Sequence, residues 1–527
     1  MDKAQEMAKT SAVGGFQLFI GRTISTIILA VGTILLGILL PHNTDLGLYT
    51  VALIPATTFL LFQDWGVGTA LTRYSAKFRA SNDTIEQRKI IIAGLLFEVA
   101  TGLVLTVVLV LFSGYIGTSI FHQPESVLLI TVTSITIFMA ALGVAPGGIF
   151  VGYEQMQLLS YMLIVQAIVQ GTLAPLLVFL GYGAMGAIIG YTVATVASGL
   201  LSIIFLYFAI LRKLPKYRLT RSDISSALKP LLNFGVPLAI GNILGGLLSN
   251  FYAFMMGSYI AIGIIGDNKI ASNFATLLSL LSYPIMSVLF PAFSKVDPHK
   301  EKELLKTVYA SSVKYTVLFV VPATLAMIAL SQPLIGTLYG DKYSLAPFLL
   351  VLSVLYNLLV LFGWRSFPIL LQSTGDTKLI MYLNLFSLLL SIPLAFLLVP
   401  TLGIVGIVIG IPASAIPSTF IGIYLTWKRY GVKADLRSSA KILIAAVLAT
   451  LAVYGFLVFV TAPNAILLAG GAIIFLAVYI VLAPIVGAVN QIDIDNLRSM
   501  FSGSNIMSKT LSIPLKIMEK FLKIIGR

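Results

Sequence analysis

The sequence contains no cysteine, few charged residues and no long polar stretch. The absence of cysteine excludes disulfides, thiolate catalysis and cysteine-ligated metal sites. The three histidines, His42, His122 and His299, are far apart in predicted loops, so the sequence predicts no metal site. Only 10% of the residues are charged, whereas soluble domains carry about 25%. Because 58% of the residues are hydrophobic, we expect a polytopic membrane protein.

The formal net charge of +14 is large for a chain with so few charged residues. Basic cytoplasmic loops of a membrane protein account for such a charge. Binding of nucleic acid would need a solvated basic domain, and no polar stretch is long enough to form one. The sequence therefore predicts membrane lipids as partners and no nucleic acid.

Apolar stretches long enough to cross a bilayer, which takes about 20 residues, recur about fourteen times. The predicted spans are 14–41, 46–72, 90–112, 126–150, 157–180, 183–211, 231–257, 268–293, 307–331, 344–371, 378–399, 402–427, 438–461 and 465–488. The predicted fold class is thus an all-α polytopic membrane protein with about fourteen transmembrane helices.

Lysine and arginine are concentrated in the loops that follow predicted spans 2, 6, 8 and 12. The opposite loops contain only Lys269 and Lys342. This asymmetry predicts a plasma-membrane protein with both termini in the cytoplasm. The opening stretch, MDKAQEMAKTSAVGG, is too polar for a signal peptide, and we expect it to lead into the first span. The basic, apolar tail is expected to form an amphipathic helix on the inner leaflet, interrupted at Pro514.

Glycines indicate an internal repeat. GYGAMGAIIG at 181–190 matches TLGIVGIVIG at 401–410, with the glycines in register. Two copies of a six-helix bundle in the same orientation would be related by a pseudo-twofold axis along the membrane normal, as in alternating-access transporters. The predicted divisions are an N-terminal six-helix lobe (1–213), a cytoplasmic linker (214–230), a C-terminal six-helix lobe (231–428), two extra helices (429–489) and a cytoplasmic tail (490–527).

Several stretches resemble one family. GRTISTIILAVGTILLGILLPHNTDLGLYTVAL, DWGVGTALTRYSAK, LLNFGVPLAIGNILGGLLSN and the turn STGDTK are similar to polysaccharide-biosynthesis flippases of the O-antigen type. These belong to the multidrug/oligosaccharidyl-lipid/polysaccharide exporter superfamily. The resemblance implies movement of a lipid-linked oligosaccharide, carried on an isoprenoid pyrophosphate, from the inner to the outer leaflet, with glycan-assembly proteins as further partners. One departure is SNFYAFMMG around Tyr252, where many relatives carry an Asp-Arg pair.

Charged residues within the predicted spans are candidate functional groups. Arg22, Asp64 and Glu98 each lie about 10–13 Å from the cytoplasmic end of their spans, so an ion pair between Arg22 and Asp64 is plausible. In the C-terminal lobe, Lys314 and Arg365 lie at a similar depth of about 10 Å. Asn384 joins them, and no carboxylate is expected at that level.

These residues suggest a head-group site. Arginine suits a pyrophosphate because its planar fork donates paired hydrogen bonds. We therefore expect Arg22, Lys314, Arg365 and Asn384 to bind substrate. Asp64 and Glu98 are expected either to hold Arg22 or to bind a coupling proton or sodium ion, with no other cofactor. The alternative is structural: a buried Arg22–Asp64 pair, with Lys314 and Arg365 reaching the head groups.

Two other functions compete with a flippase. A cation-coupled multidrug or metabolite antiporter of the same superfamily would usually have twelve spans, and the two extra spans count against it. A membrane enzyme such as a glycan polymerase would need a large outer loop, which the sequence lacks. No phosphate-cradling glycine loop is present either, so we expect neither an enzyme nor an ATP-driven pump.

Overall fold

The computed structural model describes residues 3–280, 293, 296–298, 300–501 and 514–523. All regular secondary structure within these ranges is helical, which confirms the predicted fold class. The helices of the first half are α1 (Lys3–Leu39), α2 (Asn43–Leu61), α3 (Val67–Ala80), α4 (Thr84–Tyr115), α5 (Ser126–Gly152), α6 (Met156–Leu177), α7 (Gly183–Ala209), α8 (Arg221–Tyr259) and α9 (Ile262–Leu280). Those of the second half are α10 (Lys302–Ala329), α11 (Ser331–Tyr339), α12 (Ala346–Leu355), α13 (Ser366–Ser373), α14 (Thr377–Leu402), α15 (Ile404–Tyr430), α16 (Leu436–Phe459), α17 (Asn464–Ile485) and α18 (Gln491–Phe501).

Most predicted spans are found as helices. Across the described ranges, 11 helices are long and apolar enough to cross a membrane, or 12 if one bent pair counts as a span. One of the 11, Met156–Lys213, contains both predicted spans 157–180 and 183–211, which meet at the positive-φ residues Gly181 and Gly183. The predicted span 268–293 lies partly outside the described residues. The chain is therefore a multi-pass membrane protein.

The predicted span 46–72 is not one continuous helix. Helix α2 ends at Leu61 and α3 begins at Val67, with Gly66 in the left-handed region at φ +77°. A Cβ at Gly66 would overlap the carbonyl oxygen of Gly235 on α8, so the two backbones are in direct contact at the break. Only glycine fits at this position, because any other residue would be strained at positive φ and its Cβ would occupy the space taken by the Gly235 backbone.

A second span is bent in the second half of the chain. The predicted span 344–371 consists of Ala346–Phe362 and Ser366–Ser373, which meet at an angle of 56°. Gly363 has φ +90° at this bend, and a Cβ there would approach the hydroxyl of Tyr309 to 2.7 Å. Broken helices at membrane depth are tolerated where the freed backbone groups are buried in protein or line a cavity.

Small residues set the position of α1. A Cβ at Gly21 would lie 2.5 Å from the Cβ of Ser160, and one at Gly32 would lie 2.7 Å from the Cα of Gly171. Both partners are on α6, so α1 packs closely along α6 through its glycines. This packing fixes which face of α1 remains open.

The helices pack into two compact units. One comprises Met1–Lys269 with Leu397–Ile407, and the other comprises Ile270–Phe396 with Val408–Arg527. In the first unit, Leu71, Ile91 and Phe150 are fully buried in one apolar cluster. In the second, α10, α16 and α17 surround a larger cluster. The lobes predicted at 1–213 and 231–428 rest on the sequence repeat and stay a prediction.

The tail differs from the expectation of a helix lying on lipid. Residues 514–523 are helical, and the residues just before them lie outside the described ranges, so the predicted interruption at Pro514 stays a prediction. Leu515, Met518 and Leu522 are buried in the core of the second unit. The apolar face of this helix is therefore covered by protein, because the tail folds back onto its own unit.

Candidate functional site: two broken spans and a buried ion pair

The break between α2 and α3 gathers three polar side chains, those of Gln63, Asp64 and Glu98. Gln63 is buried and donates a hydrogen bond from Nε2 to Oε2 of Glu98 on α4. Asp64 follows Gln63 directly, and its carboxyl group is close enough to that of Glu98 for the two to repel when ionised. The structure thus brings together the two carboxylates predicted to couple transport to an ion.

Glu98 is the most enclosed charged residue in this cluster. Its relative exposure is 0%, and within the described chain its Oε1 has no hydrogen-bond partner. No cationic side chain forms an ion pair with it in the same part of the chain. A buried carboxylate with one neutral donor and a neighbouring carboxyl group is poorly stabilised as an anion.

Asp64 is engaged by the backbone of its own chain. Its Oδ1 accepts a hydrogen bond of 3.3 Å from the N–H of Gly68, in the first turn of α3. A carboxylate at a helix N-terminus satisfies free N–H groups and interacts favourably with the helix dipole. Asp64 is therefore stabilised without a cationic side chain, which answers why a carboxylate can lie in this apolar stretch.

The predicted ion pair between Arg22 and Asp64 is wrong for this conformation. Arg22 is exposed on α1 and forms no ion pair with any carboxylate in the described residues. The reason is the packing of α1, because Gly21 faces α6 and the next side chain points away from that contact. Depth along a span follows from residue number, but it carries no information on which helices are neighbours.

The expectation that no carboxylate lies near Lys314 is also wrong. Lys314 Nζ on α10 lies 2.6 Å from Oδ2 of Asp493, and the two side chains are 16% and 6% exposed. Asp493 belongs to α18, within the predicted cytoplasmic tail 490–527. The charge of Lys314 is thus neutralised by a helix from the C-terminal end of the chain.

Asp493 is itself held firmly. Its backbone N–H donates to Oδ1 of Asn490 at 2.9 Å, and its Oδ2 accepts from the N–H of Asn490 at 2.9 Å. This reciprocal arrangement is a capping box at the start of α18. One turn further on, Asn496 donates to the hydroxyl of Tyr315 at 2.8 Å. Two neighbouring residues of α10 therefore anchor α18.

Lys314 also influences a second carboxyl group. Asp435 precedes α16 and accepts hydrogen bonds from the N–H groups of Arg437 and Ser438 at 3.1 Å. Burial alone would raise the pKa of Asp435, but its hydrogen bonds from Ser438 and Arg437 and the nearby charge of Lys314 hold that pKa below its usual range. Lys314 therefore lies among anionic groups of its own unit.

Arg365 lies at the bend of the second broken span. It is half-buried, donates to Oδ1 of Asn357 at 3.2 Å, and its guanidinium lies 4.7 Å from the ring centroid of Trp364. A neutral amide and an aromatic ring thus help to orient Arg365 at the bend.

The predicted residues of the second unit are only partly brought together. Ser312 and Ser366 share a buried hydrogen bond of 2.7 Å, which fixes α10 against the bend that carries Arg365. Asn384 is exposed on α14 and makes no hydrogen bond with Lys314 or Arg365 in the part of the chain described. Sequence reasoning missed Gln63 and Asp493. The Asn-x-x-Asp spacing of the capping box was the signal that could have revealed the second.

The sequence matches one protein family model and is similar to a known flippase. Residues 35–347 match the model of the polysaccharide biosynthesis protein family. A probable low-salt glycan biosynthesis flippase of Haloferax volcanii is 24% identical over 197 residues, which cover 35% of this chain and 41% of that protein. The chain thus spans about two fifths of that relative.

Two solved structures share the architecture. The lipid II flippase MurJ, in an inward closed conformation, has a TM-score of 0.72 at 16% identity, covering 89% of this chain and 98% of its own. An inward-facing multidrug resistance MATE family transporter of the MOP superfamily has a TM-score of 0.63 at 17% identity, covering 79% and 98%. Since the family model covers more than half of the sequence, the chain belongs to the polysaccharide biosynthesis protein family and has the fold of these MOP superfamily proteins.

Proposed function

We propose that the protein is a flippase that moves an oligosaccharide linked to an isoprenoid pyrophosphate from the inner to the outer leaflet by alternating access. Both termini would lie in the cytoplasm of a plasma-membrane protein, and glycan-assembly proteins would supply and consume the substrate. Family membership and the fold shared with a lipid-linked-precursor flippase support this proposal. It assigns transport and no enzymatic step to the chain.

The observation that carries the proposal is the exposure of Arg22 and its lack of a carboxylate partner in the described residues. An exposed guanidinium within a predicted membrane-spanning helix, without a carboxylate partner in the described chain, is a functional group by default. We assign Arg22 to the pyrophosphate, because arginine binds phosphate oxygens with paired hydrogen bonds. A substrate role of Arg365, predicted from the sequence, stays a prediction. Asn384, exposed and without a hydrogen bond to the other site residues, is assigned to the head group or first sugar.

Lys314 receives a different role. Its charge is neutralised by Asp493 at 2.6 Å, so it has little left to offer a phosphate in this conformation. We assign it to anchoring α18. This choice makes the role of Lys314 experimentally separable from that of Arg22.

Glu98 and Asp64 are assigned to coupling. An ionised carboxylate that is fully buried without a cation costs several kcal/mol, so we propose that Glu98 carries a proton in this arrangement. Movement of α2 against α4 would alter the contact with Gln63 and open Glu98 to water. A proton is proposed over sodium because Glu98 is fully buried beside one neutral donor, an environment that favours the protonated carboxyl group.

Leaflet-resolved transport in proteoliposomes tests the function. Labelled isoprenoid-pyrophosphate oligosaccharide is incorporated, and the outward-accessible fraction is measured with an impermeant glycan-modifying enzyme. Arg22→Gln should abolish transport, and Arg22→Lys should impair it because lysine keeps the charge but loses the fork. Arg218→Gln is the matched control, since Arg218 is exposed in a loop and has no described ion pair. Normal transport by Arg22→Gln would refute the assignment.

A cation-coupled antiporter is the second candidate, favoured by the fold shared with the MATE transporter and by the buried Glu98. It predicts efflux of a soluble cationic or amphipathic compound driven by an ion gradient. Unchanged leaflet distribution of the glycan lipid in depleted cells, together with loss of drug efflux, would establish the antiporter instead.

A further inference from the structure

Two adjoining cavities lie where α15 ends, within the second unit. The first, of about 390 Å³, is lined by aromatic residues, including Tyr309 of α10 and Phe420 and Tyr424 of α15, and by aliphatic residues such as Ile423. The second, of about 560 Å³, is lined by Lys306, Thr307 and Gly431. Trp427 and Lys433 line both. An apolar compartment therefore continues directly into one that carries two lysines.

The end of α15 creates this arrangement. The N–H of Gly431 donates to the carbonyl of Trp427 at 2.8 Å, and Gly431 has φ +69°, as in a glycine-terminated helix. A Cβ at Gly431 would lie 3.5 Å from Cε of Lys306. Lys306 therefore lies against the loop that presents Lys433.

The two lysines are not strongly neutralised. Lys433 Nζ lies 4.8 Å from the ring centroid of Trp427 and has no carboxylate partner in the described ion pairs. Lys306 pairs with Glu303 at 2.7 Å, but the Glu303 side chain is 87% exposed. Such exposed pairs are weak and readily exchanged. The second cavity therefore keeps a positive charge.

The aromatic residues lie where lipid would meet the protein. Phe420, Tyr424 and Trp427 are spaced to share one face of α15, and all three are exposed by 41–53%. Tyrosine and tryptophan concentrate at membrane interfaces, where basic pockets between helices bind anionic head groups. Under the orientation predicted from the basic loops, this end of the unit faces the inner leaflet.

We propose that these cavities form a site for an anionic phospholipid of the inner leaflet. Its phosphate would lie between Lys306 and Lys433, and one acyl chain would occupy the aromatic compartment. Charge complementarity selects the head group, and the combined apolar and basic lining selects an amphiphile over a soluble phosphate. This lipid would be a bound component of the second unit, distinct from the transported glycan lipid proposed to meet Arg22.

Quenching of Trp427 fluorescence by brominated lipid tests the site. Trp65→Phe with Trp364→Phe leaves Trp427 as the only tryptophan. The protein is placed in phosphatidylcholine nanodiscs containing either dibrominated phosphatidylglycerol or dibrominated phosphatidylcholine at equal mole fraction. Each lysine near an anionic lipid contributes about fivefold to affinity, so we expect a preference for phosphatidylglycerol between fivefold and thirtyfold. Lys306→Gln with Lys433→Gln should reduce that preference to about one.

The control removes the same charge from the same end of the unit. Lys302→Gln with Lys428→Gln changes two exposed lysines outside both cavities and should keep the preference. An equal loss of lipid preference in the control would show diffuse attraction to surface charge and would overturn the proposal. Equal quenching by both lipids, or quenching by neither, would overturn it as well. Displacement by soluble phosphate, or selectively by an isoprenyl phosphate, would assign the cavities to another ligand. Native mass spectrometry of the unaltered protein, which should retain phosphatidylglycerol preferentially, checks the result without tryptophan substitutions.

Discussion

Removing one partner of the Lys314–Asp493 pair gives the sharpest test of the second unit. In Lys314→Met, Asp493 keeps its hydrogen bonds from Asn490 but loses the cation at 2.6 Å. Breaking a buried pair in this way costs about 3–5 kcal/mol, because a charge remains buried without compensation. Lys314 is slightly exposed and Asp435 loses a favourable neighbour, so we expect a loss of about 3 kcal/mol in the free energy of unfolding.

The double variant separates the pair from its parts. Lys314→Met with Asp493→Asn keeps the amide as a helix cap and leaves no buried charge, so most of the stability should return. Lys306→Met is the matched control, since its pair with exposed Glu303 is worth only about 0–1 kcal/mol. Thermal unfolding in detergent, followed by fluorescence-detected size exclusion, measures all four proteins. Equal stability of Lys314→Met and Lys306→Met would refute the reasoning, as would a double variant no better than the single one.

Transport by the double variant then decides the role of Lys314. If Lys314 only anchors α18, the double variant should fold and flip substrate at a rate near that of the wild type. If Lys314 is a phosphate ligand that Asp493 releases during transport, the double variant should fold and remain inactive. The second outcome would restore the substrate role that the sequence suggested and would overturn the assignment made above.

Two further predictions concern the broken span of the first unit. Glu98→Gln should fold, because glutamine can still accept the hydrogen bond from Gln63, but its transport should no longer respond to a proton gradient. The control Glu125→Gln, at an exposed glutamate, should behave as wild type. Reconstituted transport with imposed gradients measures this, and a response to sodium alone would contradict the proton assignment. Gly66→Ala should abolish folded yield, because alanine would be strained at this positive φ and its Cβ would overlap the backbone of Gly235. Gly181 also has positive φ but faces open space, so Gly181→Ala should lower the free energy of unfolding by only about 1–3 kcal/mol. Comparable yields of the two glycine variants would show that the contact with α8 does not determine the break.

Composition and charge distribution predicted much of this fold because they report directly on the bilayer. Runs of apolar residues must be helical there, since no other element satisfies its own backbone in lipid. Depth along a helix was also predictable, because it follows from residue number. Asp64 and Glu98 were placed at one level on this basis, and the structure brings them together through Gln63.

Partners across helices were not predictable in the same way. Arg22 lies on α1, which packs on α6 through Gly21 and Ser160, whereas Asp64 lies in the break between α2 and α3, where Gly66 meets Gly235 of α8. Such contacts depend on two distant residues being small at once, and a single sequence does not mark which glycines meet. Lys314 was misjudged for a related reason, since its carboxylate comes from a helix beyond the last predicted span.

The two breaks explain why the predicted site residues stand where they do. Each break turns a continuous span into two shorter helices at a glycine with positive φ, Gly66 in one unit and Gly363 in the other. A helix that starts within the membrane exposes N–H groups, and Asp64 caps one such start through Gly68. Arg365 precedes the other, beside Asn357. A carboxylate is therefore stabilised at the first break by a backbone N–H group and without a cationic side chain, and an arginine is held at the second beside a neutral amide. Each break thus places a charged side chain next to the start of a helix inside a predicted span, which explains why sequence depth alone singled out Asp64 and Arg365.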